Sequence, residues 1–263
     1  FLHWNPARNF EHEKALDFLY HAIQLNPSSV GALNHIGWVY NHTGFFDEAI
    51  AKAKESAALD PIVTNPIANL ACSHLWKGVW EQSKGEYEQS LLLWPRVDRE
   101  VLPSLCGSHW AWALFALGRT NEAKAKAKLQ EYFEKNPDDR SGELTAMKAV
   151  LLAAAGDEAG AIAQIRIAEK KTETRFGETH HTTYFIACAY ARLNKTAEAL
   201  PWLKTTADTG FPCYHLFARD TNLDNLRADA GFIAFLQKQE TDWKKRKADW
   251  AKYEDVGKVT ATE

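Results

Sequence analysis

The sequence predicts an all-α chain: a superhelical row of antiparallel helix hairpins finished by a C-terminal capping helix. Three observations predict it. Pro27, Pro61 and Pro95 stand 34 residues apart, each ending an amphipathic stretch. The turn-type residues Gly44, Gly78, Gly118, Gly156 and Asn194 recur at intervals of 34, 40, 38 and 38, and each is followed five residues later by Ala49, Ser83, Ala123, Ala161 or Ala199. Runs such as 121–135 and 146–170 are rich in Ala, Lys, Glu, Leu and Gln, the strong helix formers, while β-branched alternation is sparse.

Each element follows from these markers. Residues 10–25 read as the second helix of a truncated hairpin that stops at Pro27, because proline lacks an amide hydrogen and clashes with the preceding turn. The next unit places Gly37, Tyr40, Gly44, Ala49, Leu59 and Pro61 at offsets where small residues let two helices approach and a glycine makes the turn. Ala15 pairs with Ala49, and Leu25 with Leu59, one period apart. Beyond Pro95 the period loosens, with extra residues expected around 96–104 and 171–179. Asn194 takes the place of glycine as the next-best residue for a left-handed turn. The expected whole is one domain, 1–263, of about five hairpins plus the partial first one, capped over 221–253. In the cap, Asp229 is placed to accept backbone amides at a helix start. Phe232, Leu236, Trp243 and Trp250 form one apolar stripe, and Lys244, Lys245, Arg246 and Lys247 are read as the solvated face.

The offsets of the first three units resemble the tetratricopeptide repeat (TPR), a 34-residue helix–turn–helix unit. That resemblance implies an α-α superhelix whose concave face binds other proteins. The C-terminal part is more particular. Tyr184-Phe-Ile-Ala-Cys-Ala-Tyr-Ala191, Glu198-Ala-Leu-Pro-Trp-Leu203, Gly210-Phe-Pro-Cys-Tyr214, Leu223-Asp-Asn-Leu-Arg227 and Phe232-Ile-Ala-Phe-Leu236 are similar to the end of the TPR region attached to bacterial serine/threonine kinases and winged-helix transcriptional regulators. Trp4-Asn-Pro and Asn26-Pro27 resemble the start of that region, although Ala230-Gly231 stands where it tends to carry Pro-Arg. The resemblance implies the sensory or recruitment part of a bacterial signalling protein, cut from something larger.

Ten tryptophans stand out. Trp38 and Trp112 share one repeat position on the face of a first helix that lines a TPR groove, and Trp76 falls on the same face. They are expected either to anchor a bound peptide, as tryptophan does at interface hot spots, or to fill the gap between hairpins. Trp110 is expected in the core. The expected peptide-binding groove comprises Asn34, His35, Trp38, Asn41, Asn65, Asn69, Trp76, Ser108, His109, Trp112, Tyr184 and Arg192, with His42 beside them. Its amides and imidazoles suit the backbone of an extended peptide. In co-chaperone TPRs a terminal carboxylate is held by Lys and Asn residues. Here Asn69 fits, but Asn34 and Trp38 replace the first Lys and Asn, and Leu105 and His109 replace the later cations, which argues against that ligand.

Catalytic and metal signals are weak. His180 and His181 are adjacent, so on a helix they diverge by ~100°. Cys213-Tyr-His215 lacks a second half, and no paired-cysteine or His-Glu-x-x-His pattern occurs. Cys72 and Cys188 suit small buried positions, and four scattered cysteines form no disulfide framework, pointing to a reducing, cytoplasmic setting. The alternative setting is the extracytoplasmic part of a membrane-anchored protein. Phosphate-binding, serine-nucleophile and kinase motifs are absent from the sequence. Asn41-His42-Thr43 and Asn194-Lys195-Thr196 fit the glycosylation triplet but carry little weight at hairpin turns. A net charge of −3 argues against general nucleic-acid binding, and no apolar run reaches the ~20 residues of a membrane span. The expected function is therefore a non-enzymatic scaffold, without cofactor or metal, that binds a protein or peptide and could self-associate. The alternative is a ligand- or metal-sensing, or hydrolytic, module using His180, His181 and His215.

Overall fold

The computed structural model describes residues 10–97, 103–118, 139, 141–173, 179–253 and 256. The helix expected over 121–135, the Trp4-Asn-Pro opening and the side chain of Leu105 lie outside the described side chains. No strand occurs among the described residues. Helix α1 (His12–Leu25) precedes the hairpin of α2 (Val30–Thr43) with α3 (Phe46–Leu59), then that of α4 (Thr64–Glu81) with α5 (Lys84–Leu93). Helix α6 (Pro103–Ala116) follows, then the hairpins of α7 (Glu143–Ala154) with α8 (Glu158–Glu173) and α9 (His180–Arg192) with α10 (Thr196–Asp208). Short α11 (Tyr214–Arg219) and a 3-10 turn (Thr221–Leu226) lead into α12 (Ala230–Trp250).

The hairpin chemistry is local and plain. Gly44 takes φ 86° after α2, and Phe45 donates its amide back to the Tyr40 carbonyl at 2.9 Å, closing the helix end. Asn194 adopts φ 59° at the corresponding turn, as its short amide side chain allows. The small residues Ala49, Ala161 and Ala199 are fully buried where paired helices meet. Gly78 departs from expectation: it is not a turn residue. Helix α4 runs on to Glu81, and the left-handed turn falls at Gln82, φ 55°. Gly78 serves packing instead, because a Cβ there would stand 2.8 Å from the Tyr87 ring of α5. The turn residues 44, 82, 118, 156 and 194 are then spaced by 38, 36, 38 and 38, a steadier rhythm than the sequence markers showed.

The closing helix bridges rather than merely covers. Its first half packs on the last elements: Phe235 lies 5.2 Å from Phe217 of α11, ring to ring, and Phe232 is fully buried. Asp229 caps it by accepting the Phe232 amide at 2.9 Å. Its second half reaches the first elements, where Trp243 and Trp250 meet Phe45 at 5.6 and 5.0 Å. Just beyond it, Tyr253 stacks on Tyr20 at 4.5 Å and donates to Asp17 at 2.6 Å. The expected stripe is thus one apolar edge with two different partners. Arg246 differs from the expected solvated face: it is mostly buried, with Nε 3.7 Å from Glu13 of α1.

Candidate protein-binding groove

The first helices of successive hairpins, α2, α4, α6, α7 and α9, carry the inner wall, and most of the expected groove residues meet there. Asparagines tie α2 to α4. Asn69 donates Nδ2–H to the Asn34 carbonyl at 3.0 Å, and Asn41 donates to Asn69 Oδ1 at 2.8 Å. Gly37 leaves the space that Asn69 occupies. These bonds satisfy the Asn69 amide and the Asn41 Nδ2 group, while the Asn34 and Asn41 side-chain oxygens are buried without a protein partner. Farther along, Ser108 donates to Glu143 Oε1 at 2.6 Å, and His109 Nδ1 lies 3.1 Å from the same oxygen. Tyr184 donates to Asp220 at 2.7 Å, and Arg192 donates to Asn222 at 2.5 Å with its guanidinium 4.7 Å over Phe115.

Exposure sorts the set. Asn34, Asn41, Asn69, Trp76, Ser108, His109, Trp112 and Tyr184 are buried, His35, Trp38 and Arg192 are half-buried, and Asn65 is exposed. Asn41 and His42 are buried, so the first glycosylation triplet presents no acceptor to solvent. Trp110, Cys72 and Cys188 are also buried, where the sequence placed them.

The chain's own segment 210–226 covers much of this wall. Phe211, fully buried, lies 5.0 Å from Trp76, 5.8 Å from Tyr184 and 5.1 Å from His181. Arg219 donates to the Trp80 carbonyl at 3.3 Å, and Gln82 donates to the Arg219 carbonyl at 3.0 Å. Asp220 is the polar hub. It accepts from Tyr184, from the Asn222 amide and from Asn222 Nδ2, while burial pushes its carboxyl up from the usual range. Sequence reasoning quoted Gly210-Phe-Pro-Cys-Tyr214 but did not place it on this wall. The signal was an apolar motif too short to form a hairpin of its own.

Beside that segment a cleft of about 310 Å³ stays open. Val79, Tyr87, Trp112, Phe115, Arg192 and Asn222 help to line it, so an aromatic floor sits under a half-buried guanidinium. Arginine and aromatic side chains are the types enriched at protein interfaces in general.

The histidines of the alternative reading separate. His180 and His181 gather with His42 of α2, all buried. His215 sits in another aromatic box, 4.1 Å from Trp80 and 4.6 Å from Trp243, and burial lowers its imidazole to about 4. Burial likewise lowers His180 to about 4 and holds His42 and His181 well below the ordinary range, so all three are neutral near pH 7.

No protein-family model matches this chain, and no curated protein does. Among solved structures, the Cut9–Hcn1 hetero-tetramer of the APC/C matches over 90% of this chain at 16% identity and a TM-score of 0.54. The present chain spans 46% of the length of the matched chain. YrrB, described as a TPR protein with an unusual peptide-binding site, matches over 84% of this chain and 97% of its own at 15% identity, with a TM-score of 0.39. The fold is thus a TPR-type helical solenoid. Among the described residues no helix is long and apolar enough to cross a membrane.

Proposed function

We propose that this chain is a non-enzymatic interaction scaffold that receives a protein or peptide segment on its inner wall, as the sensory or recruitment part of a bacterial signalling protein. The observation that carries the proposal is the open cleft at Trp112, Phe115 and Arg192, next to a wall that already holds an aromatic peptide segment of the same chain. Phe211 against Trp76 and Tyr184 illustrates the kind of side chain this surface accepts. In this reading Trp112 forms the floor, Trp76 and Tyr184 hold the covering segment in register, and half-buried Trp38, beside His42, is a separate anchor on α2. Arg192 gives the cleft a donor for a backbone carbonyl or an acidic side chain. The signalling role is supported by the C-terminal motifs, and a reducing compartment by the buried thiols Cys188 and Cys213.

Selection from a displayed peptide library tests it. Peptides enriched on the wild type should lose binding to Phe115→Ala and Arg192→Glu, with melting temperature measured alongside because Arg192 also bonds Asn222 of the covering segment. Equal binding to the wild type and both variants would move the site off the cleft.

A further inference from the structure

We propose that His42, His180 and His181 form a three-imidazole site for a divalent transition ion of the zinc type, clamping the first complete hairpin to the last. This goes beyond the scaffold reading and does not depend on it. One ligand nitrogen from each residue lies within 4.8 Å of the other two, and all three side chains are buried. The rings are close as well: His42 stands 4.9 Å from His180 and 5.0 Å from His181, and His180 stands 4.6 Å from His181. Ligands on a tetrahedral ion at about 2.0–2.1 Å are roughly 3.3 Å apart. Small side-chain rotations therefore bring the three nitrogens onto one centre.

Hydrogen bonds set the tautomers for this role. His42 donates Nδ1–H to the Trp38 carbonyl at 2.8 Å, and His180 donates Nδ1–H to the Thr209 carbonyl at 3.0 Å. In neutral imidazoles these bonds place the lone pair of each ring on Nε2, and a backbone carbonyl on the remote nitrogen is the usual outer support of a metal-ligating histidine. His42 Nε2 and His181 Nε2 lie 3.1 Å apart. Since His42 carries its hydrogen on Nδ1, His181 is the donor between them. An ion replaces that single hydrogen bond: His181 moves its proton to Nδ1, and the Nε2 lone pairs of both rings turn to the metal. No net proton is released. The group contains no carboxylate, which disfavours magnesium and calcium, whereas imidazole suits zinc, copper and nickel. Trp76 and Phe211 wall the site at 5.4 and 5.2 Å from the His42 ring and limit water around it.

Adjacent histidines on one helix cannot chelate alone, and the third ligand comes from another hairpin, 139 residues from His181.

Titration of the metal-stripped full chain with zinc chloride, followed by calorimetry and metal analysis, tests the site. One ion per chain is expected, with a melting temperature that rises with zinc concentration. Affinity should fall by about tenfold or more in His42→Gln and His181→Gln, and stay at the wild-type value in His74→Gln, which lies outside the group. No stoichiometric ion, or equal affinity in all variants, would overturn the proposal. Should the variants fail to fold, X-ray absorption at the zinc edge of the wild type decides: three imidazoles support the site, and one or none overturns it.

Discussion

At the scale of single residues, the inner wall is held by groups that combine burial with a defined partner. Phe211 and Trp110 leave large voids on truncation. Each change to alanine should cost ~3–5 kcal/mol, read from urea unfolding, and a loss below about 1 kcal/mol would place the ring at the surface. Asn69 is polar and works differently. Asn69→Ala removes the acceptor of Asn41 and the donor to Asn34, leaving buried polar groups unsatisfied at a cost of about 1–3 kcal/mol. His215 sets a pH dependence. Burial takes its imidazole from about 6.5 in the unfolded chain to about 4 in the folded one. Between those values the unfolded chain binds a proton that the folded chain refuses. Stability is therefore complete above pH 6.5 and falls as pH drops toward 4, by roughly 3 kcal/mol for a shift of this size. Urea midpoints measured from pH 7 to 4 should show a shallower acid limb for His215→Gln than for the wild type. Identical limbs would assign the acid loss elsewhere.

Hairpin turns were the most legible elements, because a left-handed residue announces itself locally: Gly44, Gly118, Gly156 and Asn194 all have positive φ. Gly78 misled because glycine also appears where two helices touch, and only the α4–α5 packing shows which demand applies. Helix α12 was legible as an amphipathic element capped by Asp229, but its apolar stripe could not say what it covers. In the structure Phe235 faces α11 while Trp250 faces Phe45 and Tyr40 near the start of the chain. Arg246 escaped because a run of four basic residues looks uniformly solvated, although a helix turns one of them inward every turn. Deletion of everything after Ala228 should uncover both contacts and promote aggregation, and unchanged monodispersity and melting would count against that role. Trp250→Ala separates the two halves. It should loosen α1 and α2 in hydrogen exchange while leaving α10 protected, and equal loosening at both ends would contradict a bridge.

For the whole molecule, the row of hairpins was legible because each unit is built from contacts close in sequence, as in solenoids generally. The filling of its inner wall was not, because it depends on pairs such as Cys213 with the Asn41 carbonyl, 172 residues apart. Groove residues that read as ligand contacts from sequence therefore have several tasks: Asn34, Asn41 and Asn69 tie α2 to α4, Ser108 and His109 meet Glu143, and Trp76, Tyr184 and Arg192 seat segment 210–226, with a cleft open beside it. The scaffold reading and the metal proposal both take that closed arrangement as their starting point. Hydrogen–deuterium exchange along 211–226 in the free full-length chain tests it most directly. Amides of Phe211, Leu216 and Asp220, which bond Thr206, Cys213 and Leu216, should exchange as slowly as the centres of α4 and α9. Exchange as fast as at the exposed turn 60–63 would show that the segment does not occupy the wall, and would contradict the account.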